Sequence, residues 1–543
     1  MTPRGWPGRR GPRREGRERV FPTARALLLL APAVLGAQSC ARAPDPAPIP
    51  VEDATIEELR TAVVEGRTTC RMVVQAHLDR IEAYDRASGL NAISEVNPHA
   101  LEVADSLDRA LEEGDAPGSL FCAPLLVKDN FDTHDLPTTG GSIALAGNVP
   151  PRDAFMVRRI REAGAVVIAK TNMAEWAFSP RQTVSSSYGT TANAYALDRT
   201  PAGSSGGTAS GVAAAFGVAG LGSDTGNSIR GPSSHLALVG IRSTLGLTSR
   251  AGVIPLAFDR DVAGPIARSV EDVARLLSVL AGPDPDDPYT EAARGRTEPD
   301  YTTFLDSSAL EGRRLGVLGA FADPEEADSE VLALFEAALF DLEEAGATLV
   351  RDFEIPGMRD LLGAVPYCRR FRYDMFVYLQ TLEDAPLRDV MEVLETGEFG
   401  PDAESGLRFF GDGPLDVHPS EWDPPCPDFF ESPERQALLE AVVEAMDEAE
   451  VDAFVFPTWS HPPAPLDRAN EEYRGDNSQG LVPTAGLPAI TVPMGYTRET
   501  LPAGLQLAGR PWSDGPLLGL AYAYERATRH HRPPTAFPPL PVW

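Results

Sequence analysis

An α/β fold, one large mixed β-sheet covered by helices on both faces, is what this sequence predicts, and three observations point to it. Short apolar runs alternate with helical patterns along most of the chain. The apolar runs stop abruptly in polar or small residues, as buried strands do. Of the 543 residues, 43% are hydrophobic, enough to fill a large core, as one big α/β domain or as two or three ordinary ones. Strands covered on both faces read as continuous apolar runs instead of alternating ones, and that is the pattern seen.

Residues 1 to 43 carry nine arginines, then the apolar run ALLLLAPAVLGA and the small-residue stretch QSCARA. This order reads as the basic region, apolar core and cleavage zone of an export signal, ending either after Ala43 or at a lipidated Cys40. The apolar run is too short to span a bilayer, so no membrane-spanning segment is expected. The folded domain then covers residues 44 to 543. In TCRMVVQAHLDRIEAYD, Val74, Leu78 and Ile81 share helical spacing, whereas APLLVKDN (123–130) and GAVVIAKTN (164–172) read as buried strands, the second led in by the helix MVRRIREAG. RRLGVLGAF, VDAFVFPTW and LPAITVPMG repeat the strand pattern, separated by helices in SEVLALFEAALFDLEEAG and LLGLAYAYERATRHH. Residues 280–435 differ, with breaks such as GPDPDDP and EWDPPCPD, and read as an embellishment over the core that forms part of the substrate wall.

Charge and cysteine usage narrow the function. Asp and Glu outnumber Lys and Arg by 79 to 48, a formal net charge of −31, which excludes nucleic-acid binding through phosphates and favours a small neutral or cationic substrate. Only two of the basic residues are lysines, Lys128 and Lys170. A lysine, unlike an arginine, can lose its proton when desolvated, so a site that keeps lysine in an arginine-rich chain is a candidate for base chemistry. The five cysteines show no paired metal spacing, and buried free thiols are the expected state. No HExxH occurs among the eight histidines, so a zinc hydrolase has no support; neither a metal nor another cofactor is expected. Nothing in the sequence bears on oligomeric state.

Three segments end strand-like runs in reactive or small residues: APLLVKDN with Lys128, TPAGSSGGTASG with Ser204 and Ser205, and SDTGNSIRGPSS (223–234) with Ser228. Ligands of α/β sheets sit beyond the carboxyl ends of the strands, where these segments can converge. Ser205 also centres a GxSxG string, but the residues before it, ANAYALDRTPA, are not the hydrophobic strand that a nucleophile elbow requires.

These segments, together with ATIEELRTAVVEGRTT, AKTNMAEWA, GPIARSVEDVARLLSVLAG and TAGLPAITVPMGYTRETLPAGLQLAGRPW, resemble the amidase signature family over nearly the whole chain after residue 43. The resemblance implies hydrolysis of a linear carboxylic amide through a serine acyl-enzyme, with Ser228 as nucleophile, Ser204 in a cis peptide as relay and Lys128 as base. It implies an oxyanion hole at the backbone N–H groups of Thr225, Gly226, Asn227 and Ser228, and an acyl pocket lined by Phe178. Supporting roles fall to Ser205 and to Asp224 and Arg230, expected as an ion pair bracing the loop. Two positions depart from the family pattern: Asn227 and Ala202 stand where glycine is usual, and asparagine is the residue that best tolerates positive φ in its place. The partner implied is a small amide. The alternatives are the glutaminase subunit of a tRNA-dependent amidotransferase, and an esterase or a non-enzymatic protein on the same scaffold.

Overall fold

A computed structural model describes residues 47–541. The export-signal reading of residues 1–43 and the fate of Cys40 lie outside the described residues. In chain order the strands are β1 (Ile93–Val96), β2 (Pro124–Lys128), β3 (Val166–Thr171), the short β4 (Val184–Ser185) and β5 (Gly189–Thr190), β6 (Ala219–Asp224), β7 (Val239–Arg242), β8 (Val262–Ala267), β9 (Arg314–Val317), β10 (Thr348–Val350), β11 (Ala453–Pro457), β12 (Ala489–Thr497) and β13 (Leu501–Ala508). Eleven of them form one mixed sheet in the order β1-β3-β2-β6-β8-β7-β12-β13-β11-β9-β10, and β4 pairs with β5 alone.

The centre of the sheet positions the chemistry. Every residue of β2 and β6 is buried, as the apolar run PLLV ahead of Lys128 and the small-residue run AGLGSD suit in strands covered on both sides. The two are adjacent and parallel, with Leu125 opposite Ala219 and Val127 opposite Leu221, so Lys128 and the Ser223–Asp224 corner emerge at the same edge. The helix Gly206–Ala213 packs across them, and its glycines are there for closeness. A Cβ on Gly207 would lie 2.1 Å from the Asn172 carbonyl oxygen, and one on Gly211 would lie 2.7 Å from Leu126 Cδ1. Outer helices are set by ordinary signals: Thr55 and Glu58 form a capping box before Ile56–Val64, and Thr69 caps Cys70–Ser88, which closes on Gly89 at φ 80°.

Three expectations change. The four cysteines among the described residues are not free thiols: Cys70 is bonded to Cys122 and Cys368 to Cys426. The partners are 52 and 58 residues apart, so only the packing of the first long helix against the approach to β2, and of the segments around 368 and 426, brings them together. Residues 280–435 are not one embellishment. Within them β9, β10 and the helix Ser329–Glu344 belong to the main sheet and its cover, because β9 pairs in parallel with both β10 and β11. The segment from Tyr367 to Phe410, whose short helices pack on a separate apolar cluster with Leu145, Trp176 and Ile254, forms the overlay, whereas Met358–Ala364 packs on the helix Pro433–Glu448. TPAGSS, finally, does not end a strand; it is the loop that leads into Gly206–Ala213. Among the described residues no helix is long and apolar enough to cross a membrane.

Candidate active site

Lys128, at the last position of β2, is fully buried. Its Nζ donates to Ser204 Oγ at 2.8 Å and to Ser223 Oγ at 2.8 Å, and Asn130 Nδ2 donates to the same Ser223 hydroxyl at 3.0 Å. Burial lowers the Lys128 pKa from its ordinary 10.5 to about 7, although Asp224 and Asp261 pull it the other way. Near neutral pH a large fraction of the amine is therefore uncharged and able to accept a proton. The peptide bond between Gly203 and Ser204 is cis. Space explains Gly203 itself, since a Cβ there would stand 2.4 Å from the Ser179 carbonyl oxygen.

The segment 224–230 forms a tight loop from the end of β6 into the short helix Arg230–His235. Asp224 organises it. The carboxylate accepts from the N–H of Ile229 at 3.1 Å, from Arg230 Nε at 3.2 Å and from Arg242 Nη1 at 3.0 Å, all fully buried. Burial pushes the Asp224 carboxyl up, but Arg230 and Arg242 outweigh it and hold the pKa at about 2. The same arginines occupy the loop carbonyls, Arg242 that of Asp224 and Arg230 that of Gly226. None of the N–H groups of Thr225, Gly226, Asn227 and Ser228 donates to another described residue. The Asp224 and Gly226 carbonyls are tied back and four consecutive N–H donors have no partner among the described residues, an arrangement that can receive a negatively charged oxygen.

Ser228 is 6% exposed and lies in the wall of a cavity of about 400 Å³. Its Oγ donates to Asn227 Oδ1 at 3.3 Å, and no hydrogen bond joins it to Ser204. Asn227 Nδ2 in turn donates to Asp476 Oδ2 at 2.9 Å. The positive φ expected of Asn227 is absent; Ala202 is the site with φ 64°. Thus the asparagine serves through its amide, and the strain of replacing a glycine falls on Ala202. Phe178 also lines the cavity, stacked on Phe410 with ring centroids 5.1 Å apart and edge-on to Phe371 at 4.9 Å. Ser205 does not reach it. Its hydroxyl is buried behind the loop and donates to the Ser223 carbonyl at 3.2 Å.

A family model described as Amidase matches residues 72–518. The chain belongs to the amidase signature family. This amidase is 30% identical over 499 residues to a probable amidase of Arabidopsis thaliana, covering 89% of the chain and 92% of the relative. It is 34% identical over 489 residues to a glutamyl-tRNA(Gln) amidotransferase subunit of Acinetobacter baumannii, covering 88% and 96%. The solved native peptide amidase of Stenotrophomonas maltophilia superposes with a TM-score of 0.79 at 34% identity, covering 90% of this chain and 99% of that one.

Several groups of the amidase site escaped sequence reasoning. Ser223 stands in the quoted serine-rich stretch but gives no sign that it faces Lys128. Arg242, at the end of β7, is brought to Asp224 only by the order β6-β8-β7. Tyr367, Phe409 and Phe410, which line the cavity, come from the overlay and carry no motif.

Proposed function

We propose that this amidase hydrolyses a carboxylic amide through an acyl-enzyme on Ser228. Ser228 passes its hydroxyl proton to Ser204, which hands its own to the neutral Lys128 amine. The Ser228 oxygen adds to the amide carbon, and the carbonyl oxygen takes up the negative charge against the N–H groups of Thr225 to Ser228. On collapse the carbon–nitrogen bond breaks and the proton returns from Lys128 through Ser204 to the leaving nitrogen. Water, deprotonated by the same route, then releases the acid. One rotation is needed, because the Ser228 hydroxyl rests on Asn227 and must turn to Ser204, a tightening that substrate binding commonly brings. The observation that carries the reading is the fully buried Lys128–Ser204 contact of 2.8 Å beside four unspent N–H donors.

The leading substrate is a non-peptide amide or a C-terminal peptide amide with an apolar or aromatic portion, since Phe178, Tyr367, Phe409 and Phe410 wall the cavity. The likeness to one component of an amidotransferase favours a second reading, glutamine hydrolysis for a partner. Purified chain assayed alone on glutamine and on aryl-alkyl amides separates the two: turnover of the aryl-alkyl amides without any partner supports the first, and glutamine turnover that appears only with partner proteins supports the second. We also infer that the chain is exported, since two disulfides among the described residues suit an oxidising compartment.

A further inference from the structure

Of the described residues that line the Ser228 cavity, Arg260 is the only charged one. That is unusual in a chain whose acids outnumber its bases by 79 to 48. Five of the buried arginines of this region have acids: Arg230 and Arg242 share Asp224, Arg250 pairs with Asp287, Arg370 with Asp374, and Arg435 with Asp259. Arg260 has none among the described residues, although aspartates flank it in sequence. Asp259 is taken by Arg435, and Asp261 by the Thr225 hydroxyl and the N–H groups of Leu256 and Ala257 at 2.9 and 3.0 Å. The guanidinium lies 5.3 Å from the centre of the Tyr367 ring, spends one donor on Thr484 Oγ1 at 3.1 Å, and leaves its buried Nε without a partner. A guanidinium offers five N–H donors in a planar fork matched to a carboxylate.

Resting on the amide-hydrolase reading, we infer that Arg260 determines specificity and that the substrate amide carries a carboxylate which the Arg260 fork receives across the aromatic walls. The compounds are monoamides of dicarboxylic acids or N-acylated amino acids. They share the anionic terminus and differ in whether it leaves with the acid or with the amine. The local cation reverses the expectation, drawn from net charge, of a neutral or cationic substrate. A charge-assisted fork is strong enough in a half-buried site to give roughly a tenfold to hundredfold preference over a neutral analogue.

Binding tests this without relying on turnover. Calorimetry on the purified full chain is expected to find 3-phenylpropionate bound at least about tenfold more tightly than 3-phenylpropan-1-ol, with Arg260→Gln abolishing the difference and Arg260→Lys, which keeps a point charge, retaining part of it. Hydrolysis then compares two matched pairs: 3-phenylpropionamide with a para-carboxylate or a para-methyl group, and N-(3-phenylpropionyl)glycine or its N-propyl counterpart. Arg260→Gln is expected to lower the carboxylate-over-neutral ratio of kcat/KM by about tenfold or more, through KM, in the pair whose carboxylate reaches the fork. Equal binding of acid and alcohol by the wild type, or an unchanged preference in a folded Arg260→Gln protein, overturns the assignment. Arg260-dependent binding with no turnover of any amide leaves the assignment standing and sinks the amide-hydrolase reading instead.

Discussion

Lys128 and Lys170 show how two residues of one type, both fully buried, take different work from their neighbours. Lys128 faces hydroxyls, and in the proposed mechanism a pKa of about 7 sets where activity is gained: below it the amine is charged and cannot accept the Ser204 proton, above it the amine is neutral. The kcat/KM profile should therefore rise with pH through about 7 and level off on the alkaline side. Lys128→Arg should lose almost all activity in a folded protein, because a guanidinium stays charged, and Ser228→Ala should do the same and abolish labelling by a sulfonyl fluoride. Ser205→Ala should lose far less, since its hydroxyl lies behind the loop; labelling at Ser205 would falsify the assignment. Lys170 instead donates to the Phe131 and Pro137 carbonyls at 2.7 and 3.1 Å and to Thr138 Oγ1 at 2.8 Å, with Asp129 at 3.8 Å. Mere packing at a strand end would tolerate arginine, but this enclosed set of acceptors does not. Lys170→Arg should lower stability by about 1–3 kcal/mol, read in urea unfolding, as overpacked buried sites do.

At the scale of elements, the loop between β6 and the helix Arg230–His235 depends on one carboxylate held by two arginines. Asp224→Asn leaves two buried guanidinium groups without their counter-charge, a loss of about 3–5 kcal/mol by urea unfolding, together with collapse of kcat. If the variant keeps wild-type kcat, the loop is not held open in this way. The overlay is a separate element with a separate role. Replacing residues 366–379 by alanine-rich sequence removes Tyr367 from the cavity wall while leaving the β2–β6 edge in place, and the order of preference among amides should change. An unaltered profile in a folded exchange protein would show the overlay to be cover alone.

The whole molecule carries a charge of −31 and two disulfides among the described residues. Breaking Cys70–Cys122 by Cys70→Ser with Cys122→Ser should cost about 2–4 kcal/mol, measured as a lower urea midpoint, because the closed loop of 52 residues is released in the unfolded chain. Intact mass and amino-terminal sequencing of native material should find residues 1 to about 43 removed; a protein that retains them sinks the export reading. The five strand-like runs were legible because β2, β3, β9, β11 and β12 each carry mostly apolar residues in succession; Lys128 drew notice as one of two lysines, and the roles given to it, to Ser204 and to Ser228 came from the family resemblance. The short strands β1, β7 and β10 were not; they carry no period of their own and, like the equally short β9, exist as strands only by pairing. By itself, then, the sequence determined the sheet's central runs, the residue types of the chemistry and the family to which they belong. Tertiary structure alone decided what each meets: which cysteines pair, that Arg242 reaches Asp224, that Ser223 faces Lys128 and that Arg260 stands alone in an aromatic cavity. The physical reason is that periodicity and propensity act over neighbouring residues, whereas partners and burial depend on strand order, which joins positions far apart in the chain.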